Sequence, residues 1–285
     1  MNTSSLAITV QKVRADAANS ADFPLVSDQV AVEEPLEIRL GYNSAGGRTA
    51  TSLSITMRTP GNDAELALGF LYSESIVTRA DDIQRVEHCG PAAPDTGNHN
   101  IVRVDLATHV AVDIGRLQRH FYTTSSCGVC GKSSLEALRI TGAERLRDGT
   151  VSFTKNVLTK MPDTLRERQQ AFDQTGGLHA AAAFDSRGEI LVVHEDVGRH
   201  NAVDKVIGTL LMQNRLPADN LGLIVSGRAS FELMQKTLVA GIPLLAAVGA
   251  PSSLAVQLAN EFNVSLVGFL RGETFNIYSA GERIT

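Results

Sequence analysis

Apolar and polar positions fall into three successive rhythms along the chain. Over residues 1–27, small, polar and charged residues mix without a sustained period, which predicts a flexible leader over most of that stretch. Alternation sets in from Val30 to Leu40, passes a polar turn at Asn43–Gly47, and resumes from Thr51 to Thr59 with Leu53, Ile55 and Met57 on one face. Pro60-Gly61-Asn62-Asp63 reads as a turn, with Asp63 placed to cap a helix from Ala64 to Ser73. Leu66, Leu68, Phe70 and Leu71 would form its apolar face. Val86–Cys89 and Ile101–Leu106 read as short strands, completing a small α+β domain over residues 28–120.

The third rhythm follows a loop of small residues at Thr123–Lys132. Ser133 and Glu136 fit a capping box at the start of a helix over about Ser134–Ile140, and Thr159–Phe172 reads as one further helix. Strands are predicted at Leu178–Phe184, Ile190–His194, Leu221–Val225, Pro243–Val248 and Leu266–Leu270. Helices are predicted at Asn201–Gln213, Phe231–Val239 and Ser253–Glu261. Strand alternating with helix predicts an α/β domain over 121–285 built on a largely parallel sheet, with ligands bound beyond the carboxyl ends of the strands.

Composition narrows the function. The hydrophobic fraction is 43%, enough for a core that needs no disulfides. A formal net charge of -5 and the absence of Trp argue against a nucleic-acid groove, and no apolar stretch is long enough to span a membrane. The opening residues lack a basic, then apolar, signal segment, so the expected location is the cytoplasm.

Chemistry concentrates at Cys127-Gly128-Val129-Cys130-Gly131-Lys132. The amide end of a following helix and the Lys132 cation would lower a thiol pKa here, and the glycines leave both sulfurs uncrowded. Such a loop suits a carrier of persulfide sulfur. A half zinc site and a thioredoxin-like dithiol share the spacing. Zinc would have to recruit Cys89 and a histidine, because there is no second CxxC.

Several motifs then occur in a fixed order: Glu33-Glu34-Pro35-Leu36, Met57-Arg58-Thr59-Pro60-Gly61, the cysteine loop, Thr175-Gly176-Gly177-Leu178-His179, and Glu195 to Lys205. Ser226-Gly227-Arg228, Gly249 to Ser253 and Gly268 to Gly272 complete the series. With them the chain resembles the FdhD/NarQ family of formate dehydrogenase accessory sulfurtransferases, over nearly everything from Glu33 on. The resemblance implies a cytidine deaminase-like mixed sheet with flanking helices plus the small N-terminal domain, in a homodimer. It implies that a cysteine desulfurase loads Cys127, with Cys130 as partner, and that the sulfur passes to the molybdenum of bis-molybdopterin guanine dinucleotide for a formate dehydrogenase client. GDP or a related guanine nucleotide would mimic that ligand. The stretch Phe269, Leu270, Arg271, Gly272, Glu273 and Thr274 is implicated in holding it. A chaperone that binds the molybdenum nucleotide without covalent sulfur transfer is the competing function. The family pattern has Gly where this chain has Ser75.

A ligand with several phosphates needs backbone amides and cations. Gly227 and Arg228, between a strand and a helix, are candidates, with Arg228 as a phosphate partner and a surface arginine as its alternative reading. Gly249–Ser253 is a turn of the same kind. Asp196 either orients Arg199 or His200 or caps the next helix, and His179 reads as a core residue or a ligand. Cys89 is expected to be a small buried hydrophobe. The deaminase zinc signature, H-x-E with a downstream P-C-x-x-C, is missing, so no metal is expected.

Overall fold

The computed structural model describes residues 4–13, 23–44, 46–94, 96–112, 144–149 and 151–285. Strands β1 (Ser5–Gln11) and β2 (Leu25–Ala31) pair antiparallel, with Ser5 opposite Ala31. The expectation of an unstructured leader is thus corrected at Ser5–Gln11. Leu6, Ile8 and Val10 alternate at the strand period, and β2 supplies the hydrogen-bonding edge.

The small sheet follows the predicted alternation. Strands β3 (Glu34–Ser44), β4 (Gly47–Arg58), β5 (Ile83–His88) and β6 (Ile101–Leu106) lie in the order β4-β3-β6-β5. Leu36, Ile38 and Leu40 are fully or almost fully buried on one face of β3. Glu37 and Arg39 pair on the other, at 2.8 Å. Helix α1 (Asp63–Ser73) covers the apolar face with Leu66, Ala67 and Leu71. Its start differs from expectation: the N-cap is Asn62, at φ 56, and it makes no side-chain cap. Asp63 does not cap, because Arg58 claims its carboxylate through Nε at 2.9 Å and Nη2 at 3.0 Å, and His88 Nε2 lies 3.0 Å away.

The helix expected over Thr159–Phe172 is two helices, α2 (Lys155–Arg166) and α3 (Gln170–Thr175). The break has a cause. Glu195 accepts from the amides of Ala171 and Phe172, at 2.9 and 2.8 Å, and so fixes a new helix start there. The β1–β2 hairpin rests on α3.

The large sheet has six strands in the order β12-β11-β10-β9-β7-β8. These are β7 (His179–Phe184), β8 (Ile190–Asp196), β9 (Gly222–Val225), β10 (Leu244–Ala247), β11 (Ser265–Arg271) and β12 (Thr274–Ser279). Helices α4 (Arg199–Met212), α5 (Phe231–Val239) and α6 (Ser253–Phe262) join its parts. The largely parallel sheet that was expected is mixed. β9, β10 and β11 pair in parallel, whereas β7 runs antiparallel to both β8 and β9, and β12 runs antiparallel to β11. Short turns join the antiparallel pairs β7–β8 and β11–β12, while the α4, α5 and α6 crossovers each bring the chain back in the same direction, with β7 lying between the parallel β8 and β9. β12 itself was not anticipated.

Alternation sorts the central strands between two cores. Ala181, Ala183, Leu223, Val225, Leu245 and Ala247 face α4, α5 and α6. Ala180, Ala182, Phe184, Ile224, Leu244 and Ala246 face α2 and Phe153. The first core is continuous with that of the small sheet, because α1 lies across α4. The two helices touch backbone to backbone. A Cβ on Gly69 would sit 1.8 Å from the carbonyl oxygen of Asp204, and one on Gly208 would sit 1.9 Å from that of Glu65. Glycine is therefore required at both crossing positions.

Candidate functional site

Strand direction decides which residues meet. The carboxyl ends of β8, β9, β10 and β11 share one edge of the large sheet with the start of β7. That edge gathers His179, Asp196–His200, Ser226–Arg228, Gly249–Pro251 and Phe269–Arg271. The residues predicted from sequence on this edge, Gly227, Arg228 and Phe269 to Thr274, therefore lie beside one another or on the hairpin that follows. Cys127 and Cys130, with Lys132 and the helix expected over Ser134–Ile140, lie outside the described residues.

The strand ends are laced in series. Gly249 N–H donates to Gly227 O at 2.9 Å, and Phe269 N–H donates to Gly249 O at 3.0 Å. Side chains are excluded from this lattice. A Cβ on Gly249 would lie 3.0 Å from Gly227 O and 3.1 Å from Cα of Arg228, and one on Gly268 would lie 2.9 Å from Pro251 Cδ. Ser226 Oγ accepts from Ala180 N–H at 2.9 Å, locking the β9 end to β7. Ser230 and Ser252 cap α5 and α6 through Leu233 and Ala255 amides. Gly198, ahead of α4, makes no side-chain cap.

The stretch Phe269–Thr274 is a bulge followed by a hairpin turn. The β11–β12 register shifts between Gly268 and Arg271, and Arg271 then pairs with Thr274. Phe269 takes a left-handed backbone, φ 54, which is rare away from glycine and common near binding sites. Its ring is exposed, and the Arg271 guanidinium lies 5.6 Å from the ring centroid. Leu270 is different: its side chain is fully buried in the core on the α2 side of the sheet, which leaves only its backbone for a ligand. Gly272, Glu273 and Thr274 are exposed, with Gly272 at φ 55 in the turn.

Asp196 resolves toward its structural reading. Its carboxylate is completely buried and accepts from Gly198 N–H at 2.8 Å, Asn201 Nδ2 at 2.9 Å and Thr59 N–H at 3.2 Å. Lys205 Nζ sits 2.7 Å away and also donates to Thr59 O at 3.1 Å. Val197 N–H donates to Thr59 Oγ1 at 3.1 Å. Asp196 thus has a donor for every favourable lone-pair direction, and it fixes the start of α4 against the small sheet. The Met57–Gly61 motif, read only as a strand end and turn, is the other half of this junction.

His179 lies against Gly227, where a Cβ would be 3.4 Å from its Nδ1. Burial, then the charges of Arg199 and His200, push its pKa below the ordinary histidine value, against a weaker opposing pull from Asp196. His200 Nε2 lies 2.7 Å from Glu232 Oε2 and 3.2 Å from Ser230 Oγ. That contact holds the Glu232 carboxyl below its usual range, with burial opposing. Cys89, expected as a small buried hydrophobe, is half-buried, because it sits on the loop after β5. Among the described residues no group of three or more His, Cys, Asp or Glu could hold a metal ion, and no helix is long and apolar enough to cross a membrane.

The sequence pattern of the FdhD/NarQ family matches residues 31–285. The chain belongs to that family. Its similarity to named FdhD proteins is broad. It is 51% identical over 259 residues to the sulfur carrier protein FdhD of Streptomyces avermitilis, covering 90% of this chain and 89% of the relative. It is 48% identical to that of Mycobacterium tuberculosis, covering 90% and 92%. The archaeal FdhD of Sulfurisphaera tokodaii is 42% identical, with 96% and 99% covered. The fold matches the crystal structure of a formate dehydrogenase accessory protein from Desulfotalea psychrophila with a TM-score of 0.72, at 22% identity, over 99% of this chain and 100% of that one.

Proposed function

We propose that this protein is a sulfur carrier for formate dehydrogenase, acting as a sulfurtransferase through Cys127. The observation that carries this reading is identity of about half the residues, over nine-tenths of the chain, with proteins named as sulfur carriers. A cysteine desulfurase donates the sulfur. Loading forms an S–S bond at Cys127 and breaks the donor's persulfide bond, releasing the donor thiolate. In delivery an electron-rich acceptor attacks the outer sulfur and supplies the electron pair of the bond that forms, the S–S bond breaks, and Cys127 leaves as a thiolate. Cys130 lies close enough in sequence to protect or resolve that sulfur.

The acceptor is bis-molybdopterin guanine dinucleotide, bound as substrate. The strand-end edge fits a phosphorylated ligand on one structural ground: Gly227, Gly249 and Gly268 bring three bare backbone segments side by side. Gly227, Arg228 and the Phe269–Thr274 hairpin would hold the nucleotide, with Leu270 contributing backbone alone. The mixed sheet with helices on both faces supports a cytidine deaminase-like description, and the reading includes a cytoplasmic homodimer.

The test is intact mass after incubation with a desulfurase and cysteine. Wild type gains sulfur and Cys127→Ala does not. Equal gain in both removes Cys127 as the carrier. Full activation of formate dehydrogenase by Cys127→Ala would replace sulfur transfer with cofactor chaperoning alone.

A further inference from the structure

The large sheet carries a second hollow, at the opposite end of β11 from the strand-end crevice. A cavity of about 400 Å³ opens between residues 144–149, the last turn of α6 and the short 3-10 turn Gly281–Arg283 that follows β12. Ser265, the first residue of β11, donates through Oγ to Ala280 O in its wall at 2.6 Å. Arg271 ends the same strand, so roughly 20 Å separates the two places. Neither the sulfur chemistry nor the nucleotide reading uses this end of the sheet.

The lining carries both signs of charge. Arg145 and Asp148 come from the 144–149 segment, Asn260 and Asn263 from α6, and Glu282 from the turn. The segment is pinned in place. Leu146 N–H donates to Phe262 O at 3.0 Å, and Asn263 Nδ2 donates to Leu146 O at 3.0 Å and to Asp148 Oδ1 at 2.6 Å. Asp148 thereby spends one of its two oxygens. Arg145 is exposed and has no ion-pair partner among the described residues.

Behind the lining stands Arg283, whose side chain is 1% exposed. Its Nη2 donates to Arg147 O at 2.8 Å and its Nη1 to Ser265 Oγ at 3.4 Å, while Nε is buried with no hydrogen-bond partner among the described residues. Its ion-pair partner, Glu282, is 3.7 Å away, beyond hydrogen-bond range. Burial pushes the Arg283 pKa below the ordinary arginine value against the pulls of Glu282 and Asp148, and Arg145 adds to the push. All three of those charges line the cavity, so the guanidinium lies just beneath it.

Two cations and two carboxylates therefore share one small hollow, and the α6 C-terminus adds partial negative charge. A simple anion here meets Asp148 and Glu282, and a simple cation meets Arg145 and Arg283. A molecule with a carboxylate and an ammonium on neighbouring atoms answers both sets. Asn260 Nδ2 is taken by Val256 O at 2.8 Å, which leaves its Oδ1 to accept from a short polar side chain. The volume lies in the range of small-molecule sites.

We propose that this cavity binds a free α-amino acid with a short polar side chain. Arg145 takes the α-carboxylate, with the Arg283 charge beneath it, and Asp148 and Glu282 take the α-ammonium at the α6 end. The site is independent of Cys127 and of the strand-end crevice.

Saturation-transfer NMR and calorimetry on the full chain, with L-serine, N-acetyl-L-serine and L-serinamide, test it. The second probe lacks the ammonium and the third lacks the carboxylate. Wild type is expected to bind L-serine, and each single-charge probe about 10-fold more weakly or worse. Arg145→Gln should weaken L-serine roughly 10-fold, the value of one charged hydrogen bond, and leave L-serinamide unchanged. Asp148→Asn keeps an acceptor for Asn263 and should weaken L-serine while leaving N-acetyl-L-serine unchanged. Arg145→Lys should keep part of the affinity, because it retains charge without the fork. Circular dichroism establishes that each variant is folded, and Arg145→Lys and Asp148→Asn carry the comparison if Arg145→Gln is not. The matching of each variant to the probe that lacks its partner group is a readout that a merely structural role would not move. A wild type that does not bind L-serine at millimolar concentration overturns the assignment. So do three probes that bind alike, or a folded Arg145→Gln that binds L-serine as wild type does.

Discussion

The seam between α1 and α4 and the strand-end crevice are both dense in charge, yet they are built on opposite plans. At the seam the buried charges meet ion-pair partners within the protein, although Arg58 Nη1 and Glu34 Oε2, 3.6 Å apart, make no hydrogen bond among the described residues. Asp196 and Lys205 pair at 2.7 Å, and Asp204 takes Lys236 at 2.8 and 2.9 Å together with the Ser73 hydroxyl at 2.9 Å. Arg58 is fully buried between Asp63, Asn100 and Glu34. At the crevice Arg228 and Arg271 are exposed, and the Arg199 Nε has no acceptor among the described residues. Buried charge left unpaired is costly, so it persists where function requires it, whereas completed pairs position elements. Asp196 joins the two regions, since it accepts from Thr59, just after β4 of the small sheet, and its neighbours Gly198 and Arg199 open the crevice.

The sharpest way to break this contrast is to remove one seam charge. Lys205→Met leaves the Asp196 carboxylate buried without its cation and should cost about 3–5 kcal/mol in urea unfolding. A loss below about 1 kcal/mol would mean that Asp196 is not held as an ion pair. Next in size is the helix crossing. Gly69→Ala places a methyl inside contact distance of the Asp204 carbonyl, and the two backbones must separate. A loss of about 3 kcal/mol is expected, at the upper end of ordinary overpacking.

These regions also differ in how far the sequence disclosed them. Alternation in β3 and the helix-strand rhythm after Leu178 were legible because burial on one face leaves a period. The glycines and Arg228 were legible as strand-end signals. The antiparallel flanks were not, because alternation does not carry strand direction. The Asp63 cap failed for a related reason: a local capping rule cannot see Arg58 arriving from β4. The Asp196 junction joins Thr59 to residues well over a hundred positions later, and no spacing announces it. Arg199 stood in a visibly polar run, but its missing acceptor is a property of three dimensions alone. The cysteine loop is the converse case, clear in sequence and outside the described residues.

A pH experiment sharpens the seam side. His194 lies behind Lys205, and its Nε2 is 2.8 Å from Thr209 Oγ1, whose hydroxyl donates to Lys205 O. Burial first, then Lys205, lower its pKa to about 4, outweighing the pull of Glu65. The folded pKa is below the unfolded value near 6.5, so the unfolded chain binds the extra proton between the two. Stability should be greatest above pH 6.5 and fall as pH drops toward 4, by on the order of 2 kcal/mol from this group. His194→Gln should flatten that part of the profile. An unchanged slope would place the acid sensitivity elsewhere.

A smaller effect tests a backbone position of α1. Ser75 follows the helix C-cap at φ 57, and Ile76 N–H returns to Leu71 O at 2.9 Å. A left-handed backbone costs a non-glycine residue about 1 kcal/mol, which glycine avoids in the folded state but partly repays in unfolded-chain entropy. Ser75→Gly should therefore stabilise by about 0.5–1 kcal/mol, and a loss would show that the Ser75 side chain makes a contact worth more than the strain.

The smallest expected change belongs to the crevice and closes the comparison. Arg228 is exposed, and its stem only lies along Gly249. Arg228→Ala should shift unfolding free energy by no more than about 0.5 kcal/mol, the range for surface substitutions. If it destabilised the fold as a seam charge does, Arg228 would be a structural strut and the crevice would not be the open half of the molecule. A near-neutral result, set beside the loss at Lys205, separates charge that holds the protein together from charge held ready for a ligand.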